Sequence, residues 1–176
     1  MYPSLDHDCD HDQVDNGTDP HYQYLLFYEP ACQEVLQRWH ICDLETQVTD
    51  SINECMYNTG QSCDAPTRLL VEKGCYDEVL AIAKRAALAT EVGNPEQKGG
   101  HIGPLFDKIQ FDRVQAMIGV GIDEGATLLA GGLGKPDGAT VGWFVKPTIF
   151  ADVSNNMRIA QEEIFGPVLV IIPFDN

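Results

Sequence analysis

Positive charge is scarce in this sequence. Its 176 residues hold 11 Lys and Arg against 27 Asp and Glu, a formal net charge of −16. That balance excludes a nucleic-acid partner, because phosphate contact needs a cationic surface. An anionic membrane surface is disfavoured on the same ground. Long apolar runs are missing too: no stretch approaches the roughly 18 apolar residues that a membrane span requires. The opening MYPSLDHDCDHD has neither the basic start nor the apolar stretch of a signal peptide. Cysteines stand at 9, 32, 42, 55, 63 and 75, and none forms a C-x-x-C pair. The chain is large enough to need no disulfide staples, so we expect reduced thiols and a cytoplasmic setting.

The residues that are present fall into two unlike parts. Residues 1–54 carry 12 acidic side chains and one basic one, Arg38, together with four of the five histidines. Such a change in composition near position 50 suggests a boundary, with disorder expected over the first 20 polar residues. Residues 22–28 suit a short strand and 33–40 a short helix after Pro30.

Beyond Pro66 the pattern is regular. RLLVE (68–72) is a strand-type run ended by Gly74. Tyr76, Val79, Leu80 and Ala83 recur at helical spacing and predict a helix to about Thr90, stopped by Gly93-Asn94-Pro95. Phe111, Val114, Ile118 and Ile122 mark a second helix closed by Gly125. Residues 128–130 form a brief strand, and 143–150 an extended segment that Pro147 confines to an edge or bends. The run Val168-Leu169-Val170-Ile171-Ile172 has the composition of a strand buried on both faces. Helices alternating with such strands imply an α/β architecture. No helix follows to cover the far side of that last strand.

The chemistry centres on Asn58-Thr59-Gly60-Gln61-Ser62-Cys63. Glycine and small polar residues ahead of a cysteine suit a tight turn that projects a thiol into a cleft, with backbone N–H groups left for an oxyanion. The thiolate is the active form and needs a polar, accessible setting. Arg68 stands close enough in sequence to contribute. The alternative for any such cysteine is a small buried hydrophobe. Other motifs dissolve on inspection. Gly131-Gly132-Leu133-Gly134-Lys135 lacks the phosphate-loop glycine at 129 and has Pro136 where Ser or Thr is needed, so it is a turn. The acidic and histidine-bearing 6–12 stretch has no calcium-loop glycine. His40 and Cys42 lack a second ligand pair, and no metal site is assigned.

The run Asn58-Thr59-Gly60-Gln61-Ser62-Cys63, followed by a small residue and then Arg68, resembles the cysteine signature of the NAD(P)-dependent aldehyde dehydrogenase family. Gln161-Glu162-Glu163-Ile164-Phe165-Gly166-Pro167-Val168 resembles that family's second diagnostic run. The segments between them are similar as well, so the resemblance covers 51–176, the catalytic-cysteine segment. It implies a partial catalytic domain with an open, mostly parallel sheet and flanking helices, preceded by an irregular, acidic, non-family extension over 1–50. It implies oxidation of a small-molecule aldehyde to a carboxylic acid with NAD or NADP as cofactor. Cys63 would attack the aldehyde carbon, its backbone N–H holding part of the oxyanion of the thiohemiacetal. Hydride transfer to the nicotinamide would leave a thioester for water to hydrolyse. Glu163 would accept hydrogen bonds from the nicotinamide ribose, a task suited to an acceptor-only carboxylate, and Phe165 would pack beside the nicotinamide. Read without the family, Glu163 is a solvated carboxylate and Phe165 a core aromatic.

Three parts that the resemblance calls for have no counterpart. Residues 1–54 are too few for a dinucleotide-binding βαβ domain, and the amide completing the oxyanion hole belongs to that half. Glu29 lies 34 residues before Cys63, near the family's general base, but lacks its glycine pair and lysine and is a coincidence. Losing an oxyanion donor costs about 10²–10³ in rate and losing a general base ~10²–10⁴. We therefore expect a truncated form, inactive by itself. Two alternatives stay open: a non-catalytic interaction fragment, pairing with itself or with a full-length relative, and a CoA-acylating cysteine enzyme of the same fold.

Overall fold

A computed structural model describes residues 24–27 and 43–175. In chain order the elements are β1 (Tyr24–Phe27), α1 (Leu44–Met56), β2 (Arg68–Glu72), α2 (Tyr76–Ala89), α3 (Lys108–Asp123), β3 (Thr127–Ala130), β4 (Thr148–Ala151), α4 (Arg158–Gln161) and β5 (Val168–Phe174). The strands form one sheet in the order β1-β2-β5-β4-β3. Pairing is parallel between β1 and β2, β2 and β5, and β4 and β5. Only the β3–β4 pair is antiparallel, with a register shift between Leu128 and Ala130. The open, mostly parallel α/β sheet expected from the sequence is the architecture observed.

The strand expected over 22–28 is β1, and its partner is β2, in register from Tyr24 opposite Arg68 to Phe27 opposite Val71. The helix expected over 33–40 lies outside the described residues. Helix α1 is additional to the elements expected from the sequence, although its signals stand there. Asp43 caps it by accepting from the Thr46 N–H at 2.7 Å, and Leu44, Val48, Ile52 and Cys55 follow at helical spacing on its buried face. Position 50, where composition changes, lies inside this helix.

Two expectations about strands are corrected. The extended segment 143–150 is a strand only from Thr148, because Pro147 has no N–H to give the ladder, and β4 then runs between β5 and β3 rather than at an edge. The last strand, β5, is covered on both faces by helices that precede it. Leu169 and Ile171 point into a core shared with Val48 and Ile52 of α1 and Val79 and Ile82 of α2. Val168, Val170 and Ile172 point into a second core with Val114 and Ile118 of α3 and Ile159 of α4. Alternation along one strand thus feeds two cores, which is why the run is apolar throughout.

Helix α3 is capped by Asp107, which accepts from the Gln110 N–H at 2.8 Å. Gly121 lets α3 approach Ile159 and Phe150, whose atoms would lie 3.0 Å from an added Cβ. Among the described residues no helix is long and apolar enough to cross a membrane.

Leu169 is fully buried, so Leu169→Ala should destabilise the chain by about 2–5 kcal/mol through lost burial and the cavity left behind. Leu88, 70% exposed, should tolerate the same change within about 0.5 kcal/mol. Urea denaturation of the two variants checks the contrast.

Candidate active site

Between α1 and β2 the chain makes a turn that few sequences tolerate. Asn58, Thr59 and Gly60 take φ values of 49°, 60° and 68°, three consecutive residues in the left-handed region. For a β-branched residue such as Thr59 this conformation is strained, at a cost of roughly 1–3 kcal/mol. It is held by explicit contacts. The buried Thr59 hydroxyl donates to the Gly103 carbonyl at 3.0 Å. Asn58 Nδ2 donates to the Gln61 carbonyl at 3.0 Å. The Gln61 side chain closes the turn twice over: Nε2 donates to the Asn58 carbonyl at 3.2 Å, and Oε1 accepts from the Phe106 N–H at 2.9 Å.

A second turn, before β5, meets the first. Phe165 has φ 55°, again left-handed and again costly for a bulky side chain. Helix α3 fastens it: Gln110 Nε2 donates to the carbonyls of Ile164 at 3.0 Å and Phe165 at 2.7 Å, and Arg113 Nη2 donates to the Glu163 carbonyl at 2.8 Å. The two turns touch at Gly60 and Gly166. A Cβ on Gly60 would lie 2.0 Å from the Gly166 oxygen and 2.8 Å from the Pro167 nitrogen, so only glycine fits.

Where they meet, an open cleft is lined by Gly60, Ser62, Cys63, Ala65, Thr67, Glu163 and Phe165. The three residues singled out in the sequence, Cys63, Glu163 and Phe165, are therefore brought together although about a hundred positions separate them. Cys63 is exposed, whereas the described thiols of Cys55 and Cys75 are buried. Cys55 donates weakly to the Val168 carbonyl at 3.7 Å, and burial pushes its pKa up to about 12, which leaves it an inert hydrophobe. Among the described residues none accepts a hydrogen bond from the Cys63 backbone N–H. That donor is available to an incoming oxygen.

Other residues settle elsewhere. Arg68 is buried on β2, with Nη1 donating to the Ala160 carbonyl at 3.2 Å, and it does not line the cleft. His101 holds the Asn94 carbonyl at 2.9 Å through Nε2. The glycine turn at 131–134 packs on β4, the Gly132 N–H donating to Thr148 Oγ1 at 3.1 Å. Glu29, His40, Cys42 and the 6–12 stretch lie outside the described residues. Among the described residues no cluster of three His, Cys, Asp or Glu side chains could hold a metal ion. Sequence reading missed Gln61, Gln110 and Arg113 as supports. Gln110 carried a signal, standing three residues after the capping Asp107, but its amide is spent across the fold.

Fold and cleft define an α/β protein whose one exposed described thiol sits where two strained turns are pressed together. A sequence model of the aldehyde dehydrogenase family matches residues 39–176. A 3-succinoylsemialdehyde-pyridine dehydrogenase from a Pseudomonas species is 48% identical over 132 residues, covering 75% of this chain and 28% of that protein. The crystal structure of an aldehyde dehydrogenase from Bartonella henselae matches with a TM-score of 0.72 and 52% identity, over 73% of this chain and 27% of that one. A variant of aldehyde dehydrogenase C from Pseudomonas syringae, solved with NAD+ and octanal, matches with a TM-score of 0.74 and 43% identity, over 76% and 28%. The chain belongs to the aldehyde dehydrogenase family, and it spans about 28% of the length of the curated relatives it matches.

Gly60→Ala should destabilise the chain by more than about 1 kcal/mol, because the new methyl meets backbone at a positive φ. Gly100→Ala, where nothing lies within 4 Å, should be neutral within about 0.5 kcal/mol. Thermal melts of both variants test this. A second expectation concerns acid. The Ser62 hydroxyl holds the Asp64 carboxyl below its ordinary value, and the Thr46 N–H does the same for Asp43. A depressed folded-state pKa stabilises above the ordinary carboxylate range and loses that contribution as pH falls through it, near 4. Denaturant midpoints should therefore drop below about pH 4, and drop less in a Ser62→Ala variant.

Proposed function

We propose that this chain carries the nucleophile-bearing part of an NAD(P)-linked aldehyde dehydrogenase, with Cys63 as nucleophile and Glu163 and Phe165 facing the cofactor. The observation that carries this reading is the single cleft lined by all three. The Cys63 thiolate adds to an aldehyde carbon, a C–S bond forms, and the carbonyl oxygen becomes an oxyanion that the free Cys63 N–H meets. Loss of hydride from that carbon leaves a thioester on Cys63, and water then releases the carboxylic acid and the thiol. The exposed Glu163 carboxylate is an acceptor-only group suited to sugar hydroxyls, and the half-buried Phe165 is an aromatic suited to pack on a flat heterocycle, so the chemistry of these two residues suits a nicotinamide riboside. A nicotinamide bound there supplies the hydride acceptor.

On organisation, the reading is an acidic N-terminal stretch ahead of a catalytic segment. Free thiols at Cys55, Cys63 and Cys75 support a reducing, cytoplasmic compartment. These 176 residues, which span about 28% of the length of the curated relatives, are expected to give no saturable NADH formation with simple aldehydes by themselves.

A chimera decides the main claim. The matched segment of this chain replaces the corresponding 132 residues of the Pseudomonas 3-succinoylsemialdehyde-pyridine dehydrogenase. The chimera should form NADH with aldehyde and accumulate a Cys63 acyl adduct, and Cys63→Ala should abolish both. A folded chimera without turnover would sink the reading. Formation of a Cys63 thioester from acyl-CoA without NAD+ would favour the CoA-acylating alternative.

A further inference from the structure

Among the described residues, the lining of the cleft at Cys63 carries negative charge and no positive charge. Apart from the thiol, Glu163 is the ionisable side chain among the described lining residues, and no described Lys, Arg or His contributes to it. The lining residue Ser62 is hydrogen-bonded to the exposed carboxylate of Asp64, whose Oδ1 accepts from Ser62 Oγ at 2.5 Å. The guanidinium of Arg113, on the Glu163 side, is turned onto the Glu163 carbonyl at 2.8 Å and lines no part of the cleft.

We propose that Asp64 is a specificity-determining residue: by holding a carboxylate on the Ser62 hydroxyl, next in sequence to Cys63, it admits uncharged electrophiles to Cys63 and turns carboxylate-bearing ones away. Resting on the dehydrogenase reading, this makes the substrate class aldehydes without an anionic group. Two effects act together. The Ser62 hydroxyl spends its only proton on Asp64, so it has lone pairs left but no proton to donate to a substrate carboxylate. The Asp64 charge, next in sequence to the nucleophile, adds direct repulsion, and like charges brought together suppress the wrong partner. Asp64 stays ionised at neutral pH, since the Ser62 hydrogen bond holds its carboxyl below the ordinary range.

Competitive alkylation tests this without turnover, so its result stands apart from whether any aldehyde is oxidised. The full chain is treated with an equimolar mixture of iodoacetamide and iodoacetate to low conversion. In either reaction the Cys63 thiolate forms a C–S bond, the C–I bond breaks, and iodide leaves. Mass spectrometry of the Cys63 peptide gives the ratio of neutral to anionic product, and N-acetylcysteine gives the reference ratio. Because both products come from one thiol, any change in its own reactivity cancels. At low ionic strength the ratio should exceed the reference by ~3- to 10-fold, and it should fall toward the reference in about 0.5 M salt. Asp64→Asn should remove at least half of the excess. Glu91→Gln, the same change of net charge at an exposed carboxylate outside the cleft lining, should leave it in place. A ratio equal to the reference overturns the proposal, as does an excess that Asp64→Asn does not lower or that Glu91→Gln lowers as much.

Discussion

Everything at the cleft depends on one close approach, the backbone of Gly60 against the carbonyl of Gly166. Space for a single hydrogen separates the turn that carries Cys63 from the turn that carries Glu163 and Phe165. Any side chain at position 60 would push the two apart and open the cleft at its base. The contact also sets the cost of the local geometry. Asn58, Thr59 and Phe165 sit in left-handed conformations that non-glycine residues rarely adopt. Such strain persists only where the surroundings over-determine it. Here the surroundings are a buried hydroxyl at Thr59, a doubly engaged amide at Gln61 and another at Gln110.

The chemistry follows from how differently the fold treats equivalent groups. Cys55 and Cys63 lie eight positions apart, one at the end of a buried helix face and the other past a turn that faces outward. The first loses its capacity to ionise near neutral pH through burial. The second has an open cleft before it, and among the described residues its backbone N–H has no acceptor. Helix α3 is the scaffold for the 163–165 side of the cleft: its first turns supply Gln110 and Arg113 to the 163–165 carbonyls, while Val114 packs beneath Gly166. Rigid elements thus position loop residues, the arrangement that lets a loop carry chemistry.

Much of this was legible beforehand. The β2 and β5 strands, both long helices and the alternation of helix with strand follow from apolar periodicity, which is a local property of the chain. Helix α1 was equally visible in Asp43, Leu44, Val48 and Ile52, but it spans the change in composition near position 50, and charge content masked its periodicity. Pro147 breaks the extended segment, as its chemistry requires. It delays the start of β4 without sending that strand to an edge, because edge or interior is decided by which strands arrive on either side.

What the sequence by itself determined is the identity of the candidate site residues and the turn chemistry that surrounds them. Asn58, Gly60 and Gln61 before Cys63, and Gly166 after Phe165, are readable because tight turns and positive φ values restrict residue choice at the position itself. Only the tertiary structure decided that these two turns share a cleft, that Gln110 spends its amide on Ile164 and Phe165, and that β5 is buried from both sides by helices preceding it. Those facts depend on contacts between residues far apart along the chain, and such contacts arise from packing, which leaves no periodic mark in the sequence.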